Sequence, residues 1–295
     1  MTDAVTPAET ARTATFETTV LESIVETPDT RTLVLDVGGR HIEWRAGQYV
    51  SIDPHQFAGL GSFAAYLEHQ KGRREVPRAY SMSSAPFEPH LAVTIKEELF
   101  VKDRTQYPPL LSGYLVHQVR AGDRLAVRGF AGAYIFPDNI ETRTSHILHL
   151  CAGSGSVPNV SMIKDSLRHH RALRHTLVYS NKTWDDVIFR DALTALAAAH
   201  PERLQVLHAL TREPGAERYG DNVRPGRVDV ELLRSILARE PDSLIYACGP
   251  AVTVWERRAC AARGDTPTPQ FLEAMLDHLR ALDVPKVRIK LEAFG

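Results

Sequence analysis

Two short strings carry the residues best suited to chemistry. Residues Arg78–Ser81 read Arg-Ala-Tyr-Ser and offer a cation, a flat ring and a hydroxyl on a strand-like segment. Residues Gly153–Pro158 read Gly-Ser-Gly-Ser-Val-Pro and link an apolar run to an amphipathic one. A glycine-rich turn that opens a helix presents backbone N–H groups and the positive helix end to a phosphate. The two strings therefore predict two phosphate-bearing cofactors, with an aromatic ring ready to stack on one of them.

The glycine turn differs from the dinucleotide fingerprint Gly-x-Gly-x-x-Gly, because Pro158 stands where that motif has its third glycine. Proline is tolerated near a helix start, where a missing N–H costs little. Taken alone, the string is more typical of a plain connection between a strand and a helix. Its place at the head of the first strand–helix unit favours a nucleotide, since ligands of such sheets bind beyond the strand ends.

The composition is that of a globular protein: of 295 residues, 43% are hydrophobic and 24% are charged, and the formal net charge is -1. This length is enough for two cores. A charge so close to zero gives no electrostatic footprint for nucleic acid or an anionic membrane. No apolar run reaches the roughly eighteen residues of a membrane span. The sequence therefore predicts neither nucleic-acid nor membrane binding.

The cysteines and histidines argue against a disulfide framework or a metal site. Cys151, Cys248 and Cys260 are an odd number without Cys-x-x-Cys spacing, so we expect neither disulfides nor zinc or iron–sulfur ligation. No His-Glu-x-x-His string occurs either, and we expect no metal. A reducing, cytoplasmic setting fits best, and the chain is expected to lack a one-electron carrier of its own.

The first half of the chain is rich in short strands. Turn residues separate them and few helices intervene, which predicts an antiparallel six-stranded β-barrel. The expected strands are 16–25, 30–37, 48–52, 79–82, 91–96 and 124–128. Two long inserts interrupt this rhythm, one over 54–77 with a helix at 63–71 and one over 97–109. Inserts of this length in compact domains are often functional lids.

The second half alternates strands with helices, which predicts an α/β domain with a parallel sheet. The expected strands are 147–151, 176–179, 204–209, 244–247 and 287–291, and the expected helices are 160–169, 184–200, 229–237 and one after 247. We place the domain boundary between residues 143 and 144, with a barrel domain over 1–143 and a nucleotide-binding domain over 144–295. Residues 1–15 are expected to be a disordered leader.

Taken in order, the Arg-x-Tyr-Ser string, the glycine turn and Cys248-Gly249-Pro250 resemble the ferredoxin–NADP(+) reductase superfamily, over about residues 16–294. Within it, the chain is most similar to bacterial FAD reductases that feed oxygenases, such as phenylacetate- and ketosteroid-hydroxylase reductases. Many of those carry an additional ferredoxin module, which we expect this chain to lack. The resemblance implies an NAD(P)H-dependent flavoprotein oxidoreductase with an FAD-binding barrel, followed by an NAD(P)-binding α/β domain.

The resemblance also implies roles for residues of the barrel. Arg78 would pair with the flavin pyrophosphate, Tyr80 would stack on the isoalloxazine, and Ser81 would hydrogen-bond near its N5 atom. The phosphate cradle would be completed by Ile95, Lys96, Ser112 and Gly113. The alternative for Arg78 and Tyr80 is a barrel strand with an exposed cation and a core ring. Ser112 is also a plausible helix N-cap, which does not exclude phosphate binding.

In the second domain, the resemblance implies that Gly153, Ser154, Gly155 and Pro158 hold the nicotinamide nucleotide. Cys248 and Gly249 would lie beside the nicotinamide, where a small thiol helps positioning rather than acting as a nucleophile. Glu292 and Phe294 match the family's Glu-x-Tyr ending, with a carboxylate near the hydride path and a ring over the flavin. The alternatives are a buried structural cysteine and a surface tail.

Groups near the adenosine ribose discriminate NADPH from NADH. Hydroxyls and cations follow the second and third strands of the second domain, at Ser180, Lys182, Thr211 and Arg212, with Arg218 and Tyr219 close behind. They suit a 2′-phosphate and favour NADPH, with NADH as the alternative. The insert over 54–77 is long enough to cover an adenine, with Tyr66 or Phe63 as stacking partner, which favours FAD over FMN.

The expected electron acceptor is a separate soluble protein: a ferredoxin, a flavodoxin or an oxygenase component. A basic patch in the two inserts is a candidate docking site, with the residues Lys71, Arg73, Arg74 and Arg104. The alternatives are a reductase of free flavin or quinones, and a flavin-binding redox-sensing subunit with little turnover.

Overall fold

The computed structural model describes residues 14–40, 42–102, 104–170 and 172–294. Residues 1–13 of the expected leader lie outside this range, as does Gly295. The prediction that the disordered leader includes residue 15 is wrong, because Thr15 begins the first strand.

The first six strands form an antiparallel sheet that closes on itself. In spatial order they run β4-β3-β6-β1-β2-β5, and a bridge between Met82 and Val93 joins the two ends. The strands are β1 (Thr15–Thr27), β2 (Thr30–Asp36), β3 (Tyr49–Ile52), β4 (Arg78–Ser81), β5 (Leu91–Lys96) and β6 (Arg124–Ala131). Their apolar side chains alternate into one barrel core that includes Leu33, Val50 and Val127. The predicted barrel is confirmed.

Two helices lie in the connections of the barrel. Helix α1 (Gly61–Lys71) occupies the first insert, two residues longer at its start than predicted. Helix α2 (Ser112–His117) follows the second insert and packs against β5. Leu67 of α1 and Leu115 of α2 are fully buried in the barrel core, so both helices close the barrel rather than decorate its surface.

The second sheet is parallel, in the order β10-β9-β8-β7-β11-β12. Its strands are β7 (His146–Ala152), β8 (Arg174–Asn181), β9 (Leu204–Leu210), β10 (Val223–Pro225), β11 (Leu244–Pro250) and β12 (Ile289–Phe294). A short helix, α3 (Ile140–Arg143), precedes it. The helices are α4 (Ser156–His169), α5 (Arg190–Ala199), α6 (Val230–Arg239), α7 (Val254–Arg263) and α8 (Phe271–Ala281). The predicted fold, a β-barrel followed by a parallel α/β domain, is confirmed.

The helices differ from the prediction in three places, the first being that α4 begins at Ser156 and not at residue 160. The helix expected over 184–200 is split, because only Trp184–Asp186 forms a 3-10 turn and Phe189 has a left-handed φ of 60° before α5 begins. A left-handed residue interrupts the backbone pattern of a helix. Helix α8 was not predicted, although its amphipathic sequence buries Leu272, Met275 and Leu279.

Helix α4 joins the two sheets through polar contacts. The Ser161 hydroxyl donates to the carbonyl of Ser84 over 2.6 Å, and Lys164 Nζ lies 3.0 Å from Glu88 Oε1. Ser84 and Glu88 belong to the segment after β4, so these contacts hold the end of β4 beside α4. The Arg-Ala-Tyr-Ser string and the glycine turn are thereby brought together.

Among the described residues, no helix is long and apolar enough to cross a membrane.

Candidate functional site

The glycine turn touches the backbone of the neighbouring strand. Residues Gly153–Gly155 form a 3-10 turn between β7 and α4, and Gly153 has a φ of 53°. A Cβ atom on Gly155 would lie 2.1 Å from the carbonyl oxygen of Cys248. No side chain fits there, so this glycine lets two backbones meet. A Cβ atom on Gly153 would meet no atom within 4 Å, which leaves open space beside the turn.

The turn is anchored from inside the domain. The hydroxyls of Ser156 and Tyr179 both donate to the carbonyl of Gly153 over 3.0 Å. Pro158 is the third residue of α4, a position whose N–H has no partner within the helix. Ser154 is half-exposed at the open side of the turn. The turn therefore offers a fixed backbone at a helix start, as an anion site requires.

Strand register brings the cysteine and the C-terminal carboxylate together. β11 and β12 run parallel, with Cys248 paired to Glu292 and Pro250 paired to Phe294. A Cβ atom on Gly249 would lie 2.8 Å from the ring of Phe271, so close packing also requires this glycine. The site residues expected on these two strands are thus neighbours in space.

Burial decides the charge states of this pair. Burial raises the pKa of Glu292 to about 7, and its Oε2 atom has no hydrogen-bond partner among the described residues. Burial, helped by Glu292 and Cys151, raises the pKa of the Cys248 thiol well above its usual value. Cys248 is therefore a neutral thiol at neutral pH, and Glu292 is a carboxyl group that holds or releases a proton near pH 7.

β4 presents the residues expected to bind the flavin. The Arg78 guanidinium donates to Glu75 Oε2 over 2.7 Å, and the buried Glu75 also pairs with Lys71. Ser81 is buried and Tyr80 half-buried. Burial, followed by the charge of Glu98, raises the pKa of Tyr80, so its hydroxyl stays protonated. Arg78 remains 40% exposed and keeps access to solvent from its ion pair.

The second part of the expected phosphate cradle lies between β5 and α2. Lys96 Nζ pairs with Asp29 Oδ1 over 2.6 Å, whereas Ile95 is a fully buried core residue. A Cβ atom on Gly113 would lie 3.1 Å from a carboxylate oxygen of Glu97.

The alternative role of Ser112, as the N-cap of a helix, is wrong. Ser112 is the first helical residue of α2, and Leu111 holds the cap position without a side-chain bond. The Ser112 hydroxyl instead accepts the N–H of Glu98 over 3.0 Å. It therefore fixes the start of the 97–109 insert, which local sequence does not reveal because the two residues lie far apart in the chain.

Polar groups cluster where the second and third strands of the parallel sheet end. The backbone N–H of Arg212 donates to the carbonyl of Lys182 over 2.8 Å, so these two exposed cations are neighbours. The Thr211 hydroxyl donates to the carbonyl of Asn181 over 3.2 Å, and Ser180 is buried beside them.

Arg218 differs from the expectation of a free cation. Its guanidinium pairs with Glu213 and donates to the Tyr219 hydroxyl over 2.8 Å. The N–H of Trp184, followed by Arg218, holds the pKa of Glu213 below its usual value. The charge of Arg218 is therefore already balanced.

Unsatisfied polar atoms test whether cofactors fit here. In the described part of the chain, the buried side-chain atoms without a hydrogen-bond partner are Ser83 Oγ, Asn181 Nδ2, His208 Nδ1 and Glu292 Oε2. Ser83 follows the flavin-type string, Asn181 ends the strand beside the glycine turn, and Glu292 faces Cys248. Buried polar groups are rarely left unpaired, so their places fit a flavin at β4 and a nucleotide at the glycine turn.

Sequence reasoning missed the carboxylates that hold the two cradle cations, Glu75 and Asp29. Asp29 lies in the turn between β1 and β2, and its sequence indicates only a turn. Glu75 directly follows the basic residues of the first insert, yet it is only 4% exposed. The acidic residue that directly follows the cations of the first insert was the sequence signal that could have indicated this ion pairing.

Glu292 gives a pH prediction for stability. With a pKa of about 7 in the folded protein against 4.5 normally, Glu292 keeps its proton on folding while the unfolded chain loses it. The free energy of unfolding should therefore fall as pH rises from about 5 to about 7 and then level off, by about 2 kcal/mol relative to Glu292→Gln. Urea unfolding of both proteins across this range measures the difference. Parallel pH profiles would contradict the assignment.

Comparison with known proteins agrees with this geometry. Residues 150–254 match the oxidoreductase NAD-binding domain family. The chain is 27% identical over 290 residues to the ferredoxin reductase component of 3-ketosteroid-9-alpha-monooxygenase from Mycobacterium tuberculosis, covering 95% of this chain and 65% of that protein. It is 28% identical over 183 residues to one of the subunits of 1,2-phenylacetyl-CoA epoxidase from Escherichia coli, covering 61% of this chain and 48% of that protein.

The fold has close counterparts among solved structures. A variant of ferredoxin–NADP+ reductase from Plasmodium falciparum superposes with a TM-score of 0.67 at 15% identity, covering 95% of this chain and 96% of the other. The chain spans about two thirds (65%) of the length of the ketosteroid relative. The two-domain fold is therefore that of a ferredoxin–NADP+ reductase structure, and residues 150–254 match an oxidoreductase NAD-binding domain.

Proposed function

We propose that this chain takes hydride from NADPH onto a bound FAD and passes the electrons to a separate redox protein, such as a ferredoxin or an oxygenase component. The observation that carries the proposal is the convergence of three strings: the glycine turn, Cys248 with Glu292, and the β4 segment held against α4. The relatives named as ferredoxin reductase components support the same direction of electron flow.

The flavin supplies the redox chemistry, because it accepts a hydride and can release electrons singly. The protein supplies binding and geometry. The glycine turn would hold the nucleotide pyrophosphate, while Arg78 and Lys96 would leave their carboxylate partners to bind flavin phosphates. Tyr80 would hold one face of the flavin ring system, and Phe294 would cover the other face and move aside to admit the nicotinamide. Ser81 and Cys248 fix the distance between donor and acceptor atoms.

Glu292 moves the proton in this proposal. Its pKa of about 7 leaves both protonation states accessible near neutral pH. The unpaired Oε2 atom is free to bond a flavin or nicotinamide edge.

FAD is preferred over FMN because of the first insert. Tyr66 of α1 is 55% exposed and stacks on Phe63 with ring centroids 6.4 Å apart. An exposed ring on the helix that precedes the phosphate-facing strand β4 offers a stacking partner for an adenine.

NADPH is preferred because of Lys182 and Arg212. In the described ranges neither side chain forms an ion pair, so both charges are available for a 2′-phosphate. The segment Ser180–Lys182 carries no carboxylate that would favour the free ribose diol of NADH.

An anaerobic titration tests the cofactor proposal. The purified protein should carry or bind FAD, and NADPH should bleach its absorption faster than NADH. Lys182→Ala with Arg212→Ala should raise the KM for NADPH about a hundredfold or more, since each of the two charge-assisted hydrogen bonds contributes about 1.5–3 kcal/mol, and leave the KM for NADH unchanged. Arg218→Ala is the matched control, because its charge is already balanced by Glu213. A colourless protein that binds no flavin would overturn the proposal, and faster bleaching by NADH would reverse the nicotinamide preference.

A basic cleft offers the acceptor a docking site. It encloses about 830 Å³ between the two domains and is lined by five cations, Arg45, Arg143, Lys286, Arg288 and Lys290. Asp138 is the one acid in its wall, and it pairs with Arg45 over 2.8 Å. Within the described residues, Arg143, Lys286 and Lys290 form no ion pair.

The cleft is also close to the proposed flavin. Lys290, Glu292 and Phe294 alternate along β12 and therefore face the same side. Two residues of strand span about 7 Å, so Lys290 lies one such step from Glu292. An acidic protein seated on the cations would thus approach the edge of the site.

The basic patch expected from the two inserts has fewer cations without an ion pair than the cleft has. Lys71 pairs with the buried Glu75, and Arg104 Nε pairs with Glu256 Oε1 over 3.0 Å. Only Arg73 and Arg74 of that set carry no ion pair in the part of the chain that is described. The cleft is therefore the better candidate.

Charge-reversal variants distinguish the two candidate docking surfaces, the cleft and the basic patch of the inserts. Arg143→Glu with Lys290→Glu should raise the KM for a ferredoxin about tenfold at low salt and flatten the dependence of its reduction on ionic strength. Arg73→Glu with Arg74→Glu is the matched control and should change neither. Ferricyanide reduction by NADPH should stay normal in both variants, since a small acceptor needs no docking. The opposite pattern would place the acceptor at the inserts. Rapid reduction of free flavin with no response to any protein acceptor would favour a free-flavin reductase.

A further inference from the structure

A chain of buried polar side chains runs between α4 and the parallel sheet, and the chemistry proposed above does not use it. Ser166, His175, His149 and Asn159 are between 0 and 2% exposed. His149 on β7 lies opposite Leu177 of β8, so His175 projects from the same face of the sheet. Asn159 and Ser166 lie two turns apart on α4.

The hydrogen bonds along this chain are short and continuous. His175 Nε2 lies 2.9 Å from Ser166 Oγ, and His175 Nδ1 lies 3.1 Å from His149 Nε2. His149 Nδ1 lies 2.8 Å from Asn159 Oδ1. At the far end, Asn159 Nδ2 donates to the carbonyl of Gly155 over 2.8 Å. The chain therefore ends in the glycine turn.

The Gly155 carbonyl fixes every proton in the chain. A carbonyl only accepts, so the Asn159 amide nitrogen faces it and the Asn159 Oδ1 atom must accept from His149 Nδ1–H. Burial lowers the pKa of His149 to about 4 and also lowers the pKa of His175, so both rings are neutral. His149 Nε2 then accepts from His175 Nδ1–H, and His175 Nε2 accepts from the Ser166 hydroxyl. Both histidines are the Nδ1–H tautomer.

The Asn159 amide also reaches the other domain. Its Oδ1 atom accepts the Tyr134 hydroxyl over 3.1 Å, and Tyr134 lies in the connection that follows the last barrel strand. The Tyr134 carbonyl would lie 2.0 Å from a Cβ atom on Gly47 in the barrel. One amide thus bonds the glycine turn, the sheet and the segment packed on the barrel.

The bond to Gly155 orients the peptide that opens α4. In a planar trans peptide the carbonyl and the following N–H point in opposite directions. With the Gly155 carbonyl held by Asn159, the Ser156 N–H points back into the turn, where it donates to the carbonyls of Gly153 and Ser154. The two bonds fix this peptide from both sides, so loss of the Asn159 bond would loosen the turn beside the proposed phosphates.

We propose that Asn159, held in one orientation by the relay of His149, His175 and Ser166 and by Tyr134, is the positioning residue that keeps the glycine turn in its anion-binding geometry. The inference rests on the proposed binding of the nicotinamide nucleotide at that turn. These residues would form a second set of determinants of nucleotide affinity. They are buried, lie in both domains and do not contact the nucleotide.

Two variants test the relay in the flavin-loaded protein, and a rescue variant and a control variant accompany them. Asn159→Leu removes all three bonds at similar volume, and His149→Leu removes the donor that orients the amide. Both should raise the dissociation constant of NADP+ in calorimetry, and the KM for NADPH, about tenfold, with kcat changed less than threefold. His149→Asn, which restores a donor near the Nδ1 position, should recover most of the affinity. Tyr246→Phe loses a hydroxyl bond to Ile135 in the same interdomain seam and should bind NADP+ normally.

The ring nitrogens give a readout that does not depend on activity or nucleotide. ¹⁵N spectra of histidine-labelled protein should show His149 and His175 as neutral Nδ1–H tautomers from about pH 6 to 8, with the signals assigned by the His149→Asn variant. Normal NADP+ affinity in Asn159→Leu, or an Nε2–H tautomer at His149, would overturn the relay alone. Failure of the unmodified protein to bind either NADP+ or NAD+ would overturn the proposed function together with it.

Discussion

The backbone contact between Gly155 and Cys248 is the constraint on which the rest of the site depends. It is possible because residue 155 has no side chain, since a Cβ atom would come within 2.1 Å of the Cys248 carbonyl. The contact sets the glycine turn directly against the end of β11. β12 then pairs in register with β11, so Glu292 lies beside Cys248 and Phe294 beside Pro250. The glycine turn, a small thiol, a carboxyl group and an aromatic ring are thus fixed relative to each other mostly by backbone geometry.

The second constraint is the polar seam along α4. The helix begins at the glycine turn and contacts the segment after β4 through Ser161 and Lys164. Polar interfaces of this kind are specific because each buried donor needs its acceptor at one distance and angle. The seam therefore fixes how far β4 lies from the glycine turn. The proposed hydride transfer needs this control, because a displacement of about 1 Å between reacting atoms can slow a reaction about a hundredfold.

Local patterns in the sequence were sufficient to predict the architecture and to locate the short strings that form the candidate site. Alternating apolar residues predicted the six barrel strands to within a few residues, and the glycine turn marked the strand-to-helix connection, although α4 begins at Ser156 and not at the expected residue 160. Features that depend on distant contacts were not accessible. The left-handed Phe189 divides a run that is helical in composition, and the Ser112 hydroxyl bonds the distant Glu98 N–H rather than capping its own helix. Charge pairing was equally hidden: Glu75 neutralises Lys71 and Arg78 through the fold, and the free cations collect in a cleft made by both domains.

Flavin reduction in Gly155→Ala, followed by stopped flow with saturating NADPH, tests the central claim most directly. Gly61→Ala is the matched control, because residue 61 has a similar φ of -53° and open space around it. We expect about a hundredfold slower reduction in Gly155→Ala and none of this loss in Gly61→Ala, while dithionite reduces the flavin fully in both. Reduction of Gly155→Ala by NADPH at the unmodified rate would contradict the account, because the backbone contact would then not position the reacting groups.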